Sequence, residues 1–180
     1  MILLVVALVL ADASPAPAPE AAKAPFICPA GTELQGALPP DGFEVWCERT
    51  TELPERRREG PWRSYYDDGG LAKAGSFRAG KLDGPFTVWH RNAKPAQSGS
   101  YSAGEREGSW TIWFESGRVE ERCGYERGEK HGPFATFWPG GGRKVDGRHC
   151  RGLQCGRWTS WDEAGRELGS VVYEEIRSAP

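Results

Sequence analysis

The sequence predicts an all-β protein: an elongated, single-layer antiparallel β-meander of serial β-hairpins behind a small disulfide-linked cap. Three observations predict it. Glycines stand at Gly60, Gly84, Gly108, Gly132 and Gly156, each 24 residues after the last. Two residues past each anchor lies a ring (Trp62, Phe86, Trp110, Phe134, Trp158), and five past lies another (Tyr65, Trp89, Trp113, Phe137, Trp161). Between anchors, turn glycines recur at Gly80, Gly104, Gly128 and Gly152, preceded by a third column of Phe77, Tyr101, Tyr125, His149 and Tyr173. A fixed period of this length marks a repeat array. Leu, Ile and Val are sparse in this stretch while rings and glycines abound, which suits a sheet joined by tight turns rather than a helical bundle.

Taken in order, the chain opens with an export-like segment, residues 1–13. Residues 2–10 are wholly apolar and lead into Ala11-Asp12-Ala13, a small-x-small pattern of the kind that precedes signal cleavage. Nine residues are far fewer than the roughly 20 that span a bilayer. No Lys or Arg precedes the run, so the start codon is open to question, and a buried strand is the competing reading. Residues 14–25 are mostly Ala and Pro, a stiff unstructured spacer.

Residues 26–59 form the cap. Cys28 and Cys47 bracket a Pro39-Pro40-Asp41-Gly42 turn, after which Phe43, Val45 and Cys47 alternate with Glu44, Trp46 and Glu48 as in a half-buried strand. In an oxidising compartment a Cys28–Cys47 bridge is expected, contributing about 3 kcal/mol in the loop-entropy model. The cap would cover the open edge of the first repeat. Arg56-Arg57-Arg58, flanked by Glu55 and Glu59, reads as a solvated link.

Residues 60–180 hold the repeats, at 60–83, 84–107, 108–131, 132–155 and 156–175, with a short tail. In the second, Gly84-Pro85-Phe86-Thr87-Val88-Trp89-His90 reads as a strand begun by glycine, residues 91–94 as a turn, and the stretch through Tyr101 as a returning strand. The two ring columns are three residues apart. Either both faces carry rings, or a bulge at the glycine restores one side. Across the inter-repeat turn, read as a four-residue loop, Arg78 faces Asp83, Ser102 faces Glu107, Glu126 faces His131 and Cys150 faces Cys155. The first is an expected ion pair. The last is an expected disulfide worth about 2 kcal/mol, with two free thiols as the alternative. Cys123 is left over, in a column otherwise held by Gly75, Gly99 and Gly147, and reads as a partly buried free thiol.

Gly-Pro-Trp-x-x-Tyr-Tyr-x-x-Gly-Gly from Gly60 to Gly70 returns as Gly-Ser-Trp-x-x-Trp-Phe-x-x-Gly-Arg from Gly108 to Arg118. With the linking Tyr125-x-x-Gly128-x-x-x-Gly132, these motifs resemble the MORN-repeat-variant family, whose bacterial members include some labelled antitoxins. The resemblance implies serial β-hairpins in a twisted, grooved sheet that binds or tethers proteins and sometimes membranes. It brings no fixed catalytic residue. Two turns depart from the pattern: Ala93 replaces the turn glycine, and Pro139-Gly140-Gly141-Gly142 is looser.

Function classes narrow accordingly. Net charge is −2, and basic residues gather in no column, so a nucleic-acid partner is not expected. No enzyme is expected: His90, His131 and His149 occupy different columns, and His149 and Cys150, being adjacent on a strand, face opposite sides. Zinc at His149, Cys150, Cys155 and Cys123 matches no strong spacing, so neither metal nor other cofactor is expected. The remaining expectation is an exported, non-enzymatic binding or scaffold protein of the bacterial envelope, periplasmic or secreted. Its protein partner would meet the rings six past their anchors, Tyr66, Phe114 and Trp138. The alternatives are a module contacting membrane headgroups or cell-wall glycan, an antitoxin-like binder, and rings that merely pack.

Overall fold

The computed structural model describes residues 25–49 and 57–174. The export-like segment, nearly all of the Ala/Pro spacer, and residues 50–56 and 175–180 lie outside the described residues.

Every described element is a strand. The cap supplies β1 (Thr32–Ala37) and β2 (Glu44–Arg49). One hairpin follows per 24-residue unit: β3 (Arg57–Tyr65) with β4 (Leu71–Arg78), then β5 (Lys81–Leu82) and β6 (Gly84–Trp89) with β7 (Pro95–Ser102). The next are β8 (Glu105–Trp113) with β9 (Val119–Glu126), β10 (Glu129–Phe137) with β11 (Arg143–Cys150), and β12 (Leu153–Trp161) with β13 (Glu167–Tyr173). All join one open antiparallel sheet in meander order, β5 and β6 being two pieces of one rung that both pair with β4. The cap extends this sheet: β2 pairs with β3, and the Cys28–Cys47 disulfide fastens its start.

The turns explain the regularity. Between repeats the loop is two residues, not four: Ser102 pairs directly with Glu105, and Glu126 with Glu129. Its central residues are Ala79-Gly80, Ala103-Gly104, Arg127-Gly128 and Arg151-Gly152, all at positive φ, as a type I′ turn requires. Within repeats, a type I turn ends in a left-handed residue: Gly69, Ala93, Gly117, Gly141 or Gly165. Ala93 takes this geometry at φ 60 without being glycine. The looser fourth turn closes like the others, Trp138 N–H donating to Gly142 C=O at 2.8 Å.

The anchor glycines lie inside the rungs rather than beginning them, except where β6 starts at Gly84. Each sits at a break in the ladder toward the preceding repeat, such as the shift between Ser98 and Ser100 opposite Gly108. That bulge precedes the ring columns. A second register shift lies between Ile112 and Trp113, where Glu120 is the extra residue on β9; β8 itself carries no inserted residue there, so Trp110 and Trp113 fall on opposite faces. Both faces carry rings.

On the first face two columns interlock into a spine. Trp62 stacks on Phe86 at 6.2 Å, Phe86 meets Trp110 at 6.2 Å, and Phe134 meets Trp158 at 5.3 Å. Tyr101 and His149 stand edge-on between such neighbours. Trp89 and Trp113 are buried on the second face. In the cap, Val45 and Cys47 are buried as the alternation predicts, but Phe43 lies just before β2 and is half exposed. Arg58 is no solvated link. It belongs to β3, with its guanidinium 4.5 Å over Trp46 and 3.5 Å from a Glu44 oxygen.

Candidate functional site

The candidate binding rings sit along the edge formed by the turns within repeats. Tyr66, Phe114 and Trp138 are half-buried, standing just past the ends of β3, β8 and β10. Their column is also a latch. Tyr66 Oη donates to Trp89 C=O at 2.5 Å, and Trp138 Nε1 donates to Trp161 C=O at 3.1 Å. His90, in the same column, places Nε2 2.9 Å from Trp113 C=O. Each side chain thus reaches the following repeat at the carbonyl of its second ring. Cations lie against two of the rings: Arg91 is 4.7 Å from the Tyr66 centroid and Lys144 is 4.5 Å from that of Trp138. The column therefore both ties neighbours together and leaves ring surface open between them.

The opposite edge carries a second latch that the sequence reading missed. One residue before the first four anchors stand Glu59, Asp83, Glu107 and His131. Glu59 accepts the N–H of Ala79 at 2.8 Å, Asp83 that of Ala103 at 3.2 Å, and Glu107 that of Arg127 at 3.0 Å. Beside each, the turn glycine donates to the previous rung: Gly80 to Arg58, Gly104 to Leu82, Gly128 to Arg106 and Gly152 to Lys130, at 2.8 to 3.0 Å. The fourth turn has His131 in the acid's place, paired with Glu126 at 3.6 Å, and is closed by the Cys150–Cys155 disulfide. The signal was present in the sequence as a recurring acid, but its target is a backbone N–H, which leaves no mark in side-chain patterns.

The expected ion pair Arg78–Asp83 forms at 3.6 Å. Both expected disulfides are present, and two such bonds are compatible with an extracytoplasmic location. Cys150 and Cys155 bond each other and so leave no thiolate pair for zinc. Cys123 is a buried free thiol, and burial pushes its pKa up, away from nucleophilic reactivity. Burial, with nearby Lys130, pulls the His149 pKa down; its Nδ1 is buried without a hydrogen-bond partner. Among the described residues, no group of three or more His, Cys, Asp or Glu is placed to hold a metal ion.

One concavity lies at the far end. A groove of ≈ 370 Å³ runs along β13, lined by Gln154, Trp158, Leu168, Val171 and Tyr173 among others.

No family model matches the chain, and no curated protein does. Among solved structures, one similar chain belongs to the "GtfA/B complex bound to UDP and GlcNAc". It is 10% identical, with 83% of this chain and 25% of that chain covered, at a TM-score of 0.25. This chain thus spans about a quarter of that chain's length.

Proposed function

We propose that this is an exported, non-enzymatic binding or scaffold protein of the MORN-repeat type. Its repeats present a ring-bearing edge to a protein partner in the bacterial envelope. The observation that supports this best is the column of Tyr66, Phe114 and Trp138: half-buried rings at one repeat position in the first, third and fourth repeats, two of them, Tyr66 and Trp138, held in place by the backbone of the next repeat. Rigid aromatic side chains with part of the ring left open are what interface anchors require, because little conformational entropy remains to be lost. An open sheet with no second layer among the described residues leaves both faces accessible. An antitoxin-like role is one form of the same reading. Contact with membrane or cell-wall glycan is the second reading, supported by rings that can stack on sugars, while the net charge of −2 weakens its anionic-lipid version.

The test is retention of a partner from envelope extract by the protein carrying Tyr66→Ala, Phe114→Ala and Trp138→Ala, beside the wild type. Because Tyr66 and Trp138 also latch repeats, Phe114→Glu is run alone, with circular dichroism as the check on folding. A protein retained by the wild type and lost by both variants supports the reading. Sedimentation of the chain with vesicles or isolated cell wall, with no protein retained, overturns it in favour of the second.

A further inference from the structure

The sheet ends in an unusual strand. The outer edge of β13 pairs with no other described strand. Its sequence is Glu-Leu-Gly-Ser-Val-Val-Tyr, every residue is exposed, and Leu168, Val171 and Val172 are each more than half so. Edge strands are normally protected by Lys, Pro or short length. β13 has neither residue, and its one charge is Glu167. The other edge, β1, is six residues long and bounded by Pro29 and the cis-bonded Pro39-Pro40 pair.

We propose that two copies of the protein join edge to edge through β13, antiparallel about a two-fold axis at Ser170. Three features select a second copy. The first is steric. An axis at Ser170 sets Val171 against Gly169 of the second copy, twice over. Three of the five repeats use that pairing of glycine against a large side chain: Gly75 lies opposite Trp62, Gly99 opposite Phe86 and Gly147 opposite Phe134. The second is charge. The same axis brings Arg166, which is paired with Asp162 at 2.8 Å yet has a side chain 82% exposed, beside the exposed Glu174 of the second copy, again twice. Leu168 and Val172 meet between these contacts, so apolar groups fill the middle and opposite charges the ends.

The third feature argues against a further repeat in that place. Val171 holds the register position of Gly75, Gly99 and Gly147. In the array the next repeat's ring lies over that position so closely that a Cβ on Gly99 or Gly147 would stand 2.2 Å from Trp110 or Trp158. A branched Val171 obstructs an indole there, although Cys123 at the same place takes its side chain beneath the smaller Phe134, while a second β13 brings no ring at all. The product is an isologous dimer, a closed arrangement of two ribbons sharing one sheet, which doubles the ring-bearing edge available to any partner.

Sedimentation velocity of the oxidised full chain over about a hundredfold range of concentration tests the dimer. The wild type is expected to reach twice the monomer mass and stop there. Val171→Lys, which places a cation on the exposed edge opposite Trp158, is expected to weaken association at least about tenfold with an unchanged circular dichroism spectrum. Ser170→Cys is expected to cross-link the two copies under mild oxidation, since facing residues of an antiparallel pair lie within disulfide reach. Ser98→Cys, at the same repeat position but inside the sheet, is not. A wild type that stays monomeric, a dimer indifferent to Val171→Lys, or polymers that keep growing with concentration would each overturn the proposal, the last pointing to β13 against β1.

Discussion

Cys123 stands directly opposite Phe134 in the ladder between β9 and β10, in the column place that Gly99 holds beneath Trp110. The choice of residue follows the ring above it. Where the next ring is Trp, the column is glycine, and an added Cβ would come within 2.2 Å of the indole. Where the next ring is the smaller Phe, there is more room: Gly75 would clear Phe86 at 3.0 Å, and against Phe134 a cysteine is accommodated and buried.

Gly99→Ala and Gly147→Ala are therefore expected to destabilise the protein by about 1–3 kcal/mol each, as overpacking does. Cys123→Ala, which keeps the Cβ, is expected to cost less. Combining Gly99→Ala with Trp110→Phe should cost less than the sum of the two, because the smaller ring gives the methyl its room. Urea denaturation midpoints of these variants, with Trp110→Phe alone among them, give the comparison. Strict additivity of the pair would show that ring size does not govern the column.

This packing also marks how far the fold was legible. The period, the two strands per repeat, both disulfides and the Arg78–Asp83 pair were visible because side-chain identity at fixed spacing determines them. The turns were misread as four-residue loops because Ala79, Ala103, Arg127 and Arg151 give no sign of positive φ; only the following glycine does. The role of Cys123 depends on contact across strands. The second task of Tyr66 and Trp138 depends on where a backbone carbonyl points. Neither is written in a linear pattern. The apolar β13 edge was legible as residues, but its exposure is a property of the assembled sheet.

Ala93 carries strain that its counterparts avoid. It sits at φ 60 where Gly69, Gly117, Gly141 and Gly165 occupy the equivalent turn position. A left-handed conformation costs an L-residue roughly 1–2 kcal/mol, while glycine gains entropy in the unfolded chain. The net expectation for Ala93→Gly is stabilisation of about 0.5–1 kcal/mol, read as a higher thermal midpoint. A lowered midpoint would mean that the turn relaxes around alanine at no cost.

The latches at the inter-repeat turns differ in kind and should differ in response. Glu107→Ala removes the acceptor for the Arg127 N–H and is expected to cost about 0.5–1.5 kcal/mol, with faster hydrogen exchange at that amide. The fourth turn holds Cys150–Cys155 instead, and opening it by Cys150→Ser with Cys155→Ser is expected to cost about 2 kcal/mol. In that background, Glu126→Ser with His131→Glu copies the Ser102 and Glu107 pair one repeat earlier. It should recover part of the loss. If it recovers nothing, the carboxylate at this register is not an interchangeable latch.

His149 makes stability depend on pH. It fills a column otherwise held by Phe77, Tyr101, Tyr125 and Tyr173, edge-on to Phe134 at 5.0 Å and Trp158 at 4.9 Å. Burial first, then the charge of Lys130, holds its folded-state pKa below the ordinary 6.5, with Glu121 opposing. In the unfolded chain the imidazole takes up a proton as pH falls through about 6.5, while in the folded chain it stays neutral to lower pH. Where the unfolded state binds more protons, stability rises with pH, so it must fall as the pH drops below that value. His149→Phe removes the titrating group and the orphaned Nδ1 together. The variant is expected to be at least as stable as the wild type at pH 7.5, and its advantage should widen steadily below about pH 6.5. Other carboxylates and histidines titrate in both proteins and cancel in the difference. A difference in unfolding free energy that stays flat from about pH 7.5 to 5.5 would show that protonation of His149 is not resisted by the fold.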